Sequence, residues 1–172
     1  MSQNISQSLL PEFDMEMANA RKTLERVPEG KPDFRPHPKS MTLARLAGHL
    51  AEIPIWAIHA LAHDAFDMNP PDGGPRPEAY VMTSRQALIQ KFDTEAAKAR
   101  ALLAAADDAK MMGTWTLKDG GKTVLAMPRV AVVRSFIMNH LIHHRAQLGV
   151  YLRMNDIPVL STYGPSADEG GM

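Results

Sequence analysis

The chain contains no cysteine. Disulfides, thiolate metal ligands and a cysteine nucleophile are therefore excluded, and any bound metal must be held by imidazole, carboxylate, carbonyl or water. Net charge is also missing. Nineteen basic side chains balance nineteen acidic ones, so neither nucleic acid nor an anionic membrane is favoured as main partner. No apolar run approaches the roughly 18 residues of a membrane span, and Met1-Ser2-Gln3-Asn4 lacks the basic and apolar regions of a signal peptide. A soluble, cytoplasmic protein is expected. Internal repeats and low-complexity tracts are absent as well. The 172 residues suit one domain, residues 1–172.

Amphipathic periodicity is what the chain does have. Leu10, Phe13, Met17, Ala20, Leu24 and Val27 recur at helical steps and predict a first helix over 7–27. Prolines 28, 32, 36 and 38 make the next stretch a connection. Thr42 caps a second helix with the stripe Leu43, Leu46, Leu50, Ile53 and Ala57, and Pro54 inside it predicts a kink or break. Residues 67–77, rich in proline and glycine, form a loop. A capping box at Thr83 and Gln86 opens a third helix over 84–106. The runs 114–117 and 123–126 flank Asp119-Gly120-Gly121 and predict a β-hairpin. Pro128 starts a fourth helix reaching residue 155, and an irregular tail over 157–172 closes one end. The expected fold is all-α: a four-helix bundle with a small β-hairpin before the last helix. The twelve methionines are scattered and read as core filler rather than a soft metal site.

The chemistry points to seven histidines. His140 and His144 stand at i and i+4 in Asn139-His140-Leu141-Ile142-His143-His144-Arg145-Ala146-Gln147, one turn apart on one helix face. His140 with His143 fits the spacing as well, although the inward stripe Ile137, Leu141, Leu148 and Tyr151 favours 144. Such histidines can equally make ordinary side-chain hydrogen bonds. His49, in another amphipathic segment, is the best third donor, and the preceding Gly48 allows close approach of a helix or ligand. Glu52, one turn from His49, is a candidate fourth ligand, acceptor for an imidazole N–H, or general base. Gln147 is placed to orient His144 or to satisfy a bundle hydrogen bond. His59 and His63 lie too far along the helix to share a metal with His49 and are assigned to the surface or the bundle end. His37 is read as solvated, and Asn139 and Arg145 as outward-facing.

At Leu46-Ala47-Gly48-His49-Leu50, the run 139–148 and the tail 163–169, the chain resembles the DinB/YfiT-like family. That resemblance implies a helical bundle in which His49, His140 and His144 surround a divalent metal, and a homodimer. It also implies activity of hydrolase or thiol S-transferase type, in which the metal activates water or a low-molecular-weight thiol toward a small-molecule substrate. Zinc or nickel suits a histidine-rich site. The alternative is a non-catalytic, metal-binding or stress-related bundle.

Overall fold

The computed structural model describes residues 4–74 and 76–170. The molecule is mostly helical and carries a small three-stranded sheet. Helix α1 (Ile5–Leu24) begins at Asn4, whose side chain accepts the Gln7 N–H, so it starts and stops earlier than its apolar stripe suggests. Helix α2 (Leu43–Ala62) is capped by Thr42 as expected, its side chain accepting the N–H of Arg45. Pro54 does not break α2, which continues for two turns beyond it. Proline here costs one backbone hydrogen bond, but Ile53, Pro54, Ala57 and Ala60 are all buried, and this tertiary burial outweighs the local loss.

Strand β1 (Ala65–Asp67) follows, then the loop and helix α3 (Arg85–Ala105). The cap of α3 is Ser84 rather than Thr83: the Ser84 hydroxyl accepts the Ala87 N–H. A short helix α4 (Asp108–Met112) precedes strands β2 (Thr114–Asp119) and β3 (Lys122–Pro128). These two pair antiparallel, while β1 adds to β2 in parallel. Their turn uses Gly120 and Gly121 at φ +58° and +79°, backbone angles that disfavour a side chain. The Asp67 carboxylate accepts both glycine N–H groups, which ties β1 to the turn.

The last helical rod is not uniform. It opens as α5 (Arg129–Ala131), widens into a π-helical stretch (Val132–Met138) and continues as α6 (Asn139–Arg153). Helices α1 and α2 each pack against α3 and α6, enclosing a core that includes Phe13, Leu46, Leu50, Phe92, Leu103, Ile137, Leu141 and Leu148. The tail folds back on α1 and α6. Its Asp168 pairs with Arg153 and its Glu169 with Arg26. Among the described residues no helix is long and apolar enough to cross a membrane.

Two arginines are buried and spoken for. Arg145, expected outside, is 5% exposed. It donates to the Glu16 carboxylate at 2.6 Å and to the Tyr163 hydroxyl, which itself donates to Glu16. The isolated sequence of α6 hid this partner because Glu16 is 129 residues away. Arg129 is 3% exposed and donates to the carbonyls of Ala60 and His63 at the end of α2, while also pairing with Asp64. It thus caps α2 and fixes it to the hairpin. Replacing Arg129 with methionine leaves those carbonyls unpaired, and we expect a loss of about 2–4 kcal/mol in urea unfolding, because buried acceptors stranded without donors cost that order. A change below 0.5 kcal/mol, the range of ordinary surface substitutions, would show that water replaces the guanidinium there.

Candidate metal centre

The core stripes of α2 and α6 fix where their histidines point. On α2, Leu46, Leu50 and Ile53 are fully buried, and His49 sits at the margin of that stripe, half-buried. On α6, Leu141 and Leu148 are buried, with His140 half-buried beside them and His144 buried. The two margins meet. One ligand-capable atom from each of His49, His140 and His144 lies within 4.8 Å of the others. The His49 and His140 Nε2 atoms are 3.1 Å apart, and the three ring centroids are separated by 4.5–5.0 Å. Nitrogens about 2.0–2.1 Å from one cation stand roughly 3–3.4 Å apart, a spacing the His49 and His140 pair already has, and a set within 4.8 Å closes on a single ion by small rotations of the rings. His143 points outward and is exposed, which resolves the spacing ambiguity in favour of 144.

Partners outside the cluster orient the rings. His144 Nδ1 lies 2.7 Å from Gln147 Oε1, an amide oxygen that can only accept, so Nδ1 carries the proton and Nε2 keeps its lone pair. His49 Nδ1 lies 3.5 Å from a Glu52 carboxylate oxygen and 3.4 Å from Arg45 Nη2. Glu52 thus touches the nitrogen of His49 opposite the one facing His140. Its carboxylate also accepts from Arg45 Nη1 at 3.0 Å and from the Tyr80 N–H. Burial pushes the Glu52 carboxyl up, but His49, the Tyr80 N–H and Arg45 outweigh it and hold the group below its ordinary value.

Residues 12–148 match the sequence model of the DinB superfamily. The chain belongs to that superfamily. Solved structures share its fold. A DinB-like protein from Bacillus cereus aligns with a TM-score of 0.71 at 20% identity, over 95% of this chain and 100% of its own. The DinB-like protein YjoA of Bacillus subtilis gives 0.68 at 18% identity, over 92% and 99%. No curated protein matches the sequence.

Within this DinB-superfamily chain, sequence reasoning missed Arg45 and Tyr80. The Tyr80 backbone comes from the loop before α3, and nothing in its local sequence signals that it docks on α2. Gly48 was the available hint. A Cβ at Gly48 would overlap the Tyr80 carbonyl oxygen and sit 3.0 Å from its carbonyl carbon, so the glycine admits a loop backbone rather than a ligand. The other histidines stay outside the cluster. His37 and His63 are exposed, whereas His59 is half-buried and stacks on Phe66 at 4.1 Å between centroids.

Two of the three imidazoles resist protonation. Burial lowers the His140 pKa to about 4, with further lowering from His144, His49 and His143. Burial also lowers His144, against an opposing hydrogen bond to Gln147. At neutral pH both rings therefore offer lone pairs without first losing a proton.

Two outcomes follow for measurement. For His140, the folded pKa lies below the ordinary 6.5, so folded and unfolded chains are equally neutral above pH 6.5. As pH falls from 6.5 toward about 4, only the unfolded chain gains this proton, and the metal-free protein loses stability across that window. Thermal melts should fall more steeply between pH 7 and 5 for the wild type than for His140→Gln; equal slopes would remove His140 as the cause. Separately, Gly48→Ala gains up to about 1 kcal/mol of helix propensity. The clash with Tyr80 should outweigh that gain by about 1–3 kcal/mol in chemical denaturation, and a stabilised variant would mean that the Tyr80 loop yields freely.

Proposed function

We propose that this chain is a metal-dependent enzyme in which His49, His140 and His144 hold one divalent cation, zinc or nickel. The observation that carries the reading is the meeting of three ligand-capable imidazole nitrogens, drawn from two helices, within 4.8 Å. A cation bound by only three protein groups retains an open position, lowers the pKa of a bound water or thiol toward neutrality, and polarises an electrophilic oxygen. Everything else is the work of the chain. Gln147 holds the tautomer of His144 and leaves its Nε2 bare, while the Glu52 carboxylate stands at Nδ1 of His49 to accept an N–H there when Nε2 turns to the cation. Glu52, which lines the concavity beside His49, is also the candidate general base, taking a proton through a bridging water. With no cysteine of its own, the chain takes its nucleophile from solvent or from a low-molecular-weight thiol. The reaction class is hydrolysis or thiol S-transfer on a small-molecule substrate. We read the four long helices as a four-helix bundle forming one domain over residues 1–172, acting in the cytoplasm as a homodimer.

Elemental analysis of protein purified without chelators should give about one zinc or nickel per chain. Single alanine replacements of His49, His140 and His144 should each abolish stoichiometric binding, while Glu52→Gln should weaken it by about 10–100-fold, as losses of orienting partners do. Equal metal content in wild type and His144→Ala would defeat the ligand assignment. With cobalt substituted, a thiolate-to-metal absorption band on adding a small thiol selects transfer, and its absence alongside esterase or amidase turnover selects hydrolysis. Metal-dependent stabilisation without turnover in either screen leaves the non-catalytic, stress-related bundle as the reading.

A further inference from the structure

Two concavities flank the histidines. One, of about 420 Å³, touches His144 and is bordered by Lys39, Ser40, Gln147 and the aliphatic edge of Val150. The other is smaller, about 220 Å³, and differs in kind. It begins at His49 and is walled by Ile55, Trp56, Phe66, Pro77 and Ala79, with His59 also lining it. Along α2 the residues 49, 52, 56 and 59 follow steps of three and four, so they share one face. At 1.5 Å per residue that face runs about 15 Å from His49 to His59.

The aromatic wall is rigid before anything binds. Trp56 meets Phe66 edge to face at 5.5 Å and 84°, and meets Phe136 at 5.8 Å and 87°. Phe136 belongs to the π-helical stretch, so the irregular turn just before His140 also backs this wall. The charged groups at the cluster end satisfy one another, since Glu52 is engaged by Arg45, Tyr80 and His49. The remaining carboxylate on the lining, Glu78, is exposed and would repel an anion. At the far end His59 stacks on Phe66, and neither of its ring nitrogens makes a hydrogen bond among the described residues. It is an unused donor or acceptor.

We propose that this groove is the substrate subsite and selects a neutral molecule with an aromatic or branched apolar body. That body lies on Trp56 and Phe66, its reacting group faces His49, and a distal hydroxyl or carbonyl meets His59. The proposal rests on the metal-centre reading for its reacting end only. A cavity of about 150 Å³ holds one benzene ring, so about 220 Å³ takes a ring with one short substituent.

The test uses zinc-loaded protein and two chelating probes with one head group, acetohydroxamate and benzohydroxamate. Benzohydroxamate should bind at least tenfold more tightly. Trp56→Leu, which removes the wall, and Ala79→Trp, which fills the groove from an exposed loop, should each bring the ratio within twofold while acetohydroxamate binding stays unchanged. Wild type should also prefer 4-(hydroxymethyl)benzohydroxamate over the 4-ethyl compound, and His59→Phe should abolish that preference while sparing benzohydroxamate. A wild-type ratio near one, or a ratio that survives Ala79→Trp, overturns the proposal. Should zinc fail to bind, the metal reading falls alone, and benzyl alcohol on the metal-free protein reads the groove by saturation-transfer NMR. Signals lost in Ala79→Trp uphold the subsite; no signal in wild type rejects it.

Discussion

The rotation of α2 and α6 about their own axes is the constraint on which the rest depends. Each helix turns its apolar stripe inward because burying a leucine or isoleucine is worth about 1.5–3 kcal/mol. Leu46, Leu50, Ile53, Leu141 and Leu148 are all essentially sealed from solvent. His49, His140 and His144 lie on the edges of those stripes, so the core brings them together whether or not the imidazoles attract one another. A neutral cluster of this kind can settle as a hydrogen bond, with one Nε2 of the His49 and His140 pair protonated across 3.1 Å. Binding a cation requires that proton to move to Nδ1. For His49 the Glu52 carboxylate is waiting there to accept it.

Orientation costs structure elsewhere. To hold one carboxylate behind His49, the chain brings a loop backbone against α2, spends a glycine in mid-helix to let it in, and commits an arginine to both the carboxylate and the Tyr80 carbonyl. Glycine weakens a helix interior by up to about 1 kcal/mol relative to alanine. The arrangement makes sense only as a whole. With a bulkier residue at 48 the Tyr80 N–H leaves Glu52, the carboxylate loses a partner, and the His49 ring loses its anchor.

Much of this was legible in the sequence, and the parts that were not share a physical reason. Spacing of 140 and 144, the Thr42 cap, the Gly120-Gly121 turn and the four amphipathic stripes are local signals, carried within a few residues. Strand β1 has only three residues, too few for alternation to register, and exists because β2 offers it a free edge. The π-helical stretch breaks the 3.6-residue rhythm that a periodic reading assumes. Pro54 carried a strong local warning that tertiary burial overrode. Tyr80 and Arg145 acquire their roles from partners 28 and 129 residues distant, and no window along the chain contains both members, whereas Arg45 stands four and seven residues from His49 and Glu52 on one face of α2, a spacing signal that was there to be read.

Arg145 shows why a buried charge is retained beside a site. Residues 144 and 145 are neighbours on α6, turned by about 100° from each other, so one faces the histidine cluster while the other reaches Glu16 and Tyr163. As a stabiliser the ion pair is poor: desolvating two charges offsets most of their attraction, and apolar residues of equal volume would hold the helix as firmly. Apolar contacts, however, tolerate a helix that slips or rolls by one position, since leucine against isoleucine is nearly as good as leucine against valine. A guanidinium buried at 5% exposure has no such freedom, because every misrotated state strands it without Glu16. The penalty falls on the wrong rotations of α6, and those are the rotations that would swing His140 and His144 out of reach of His49.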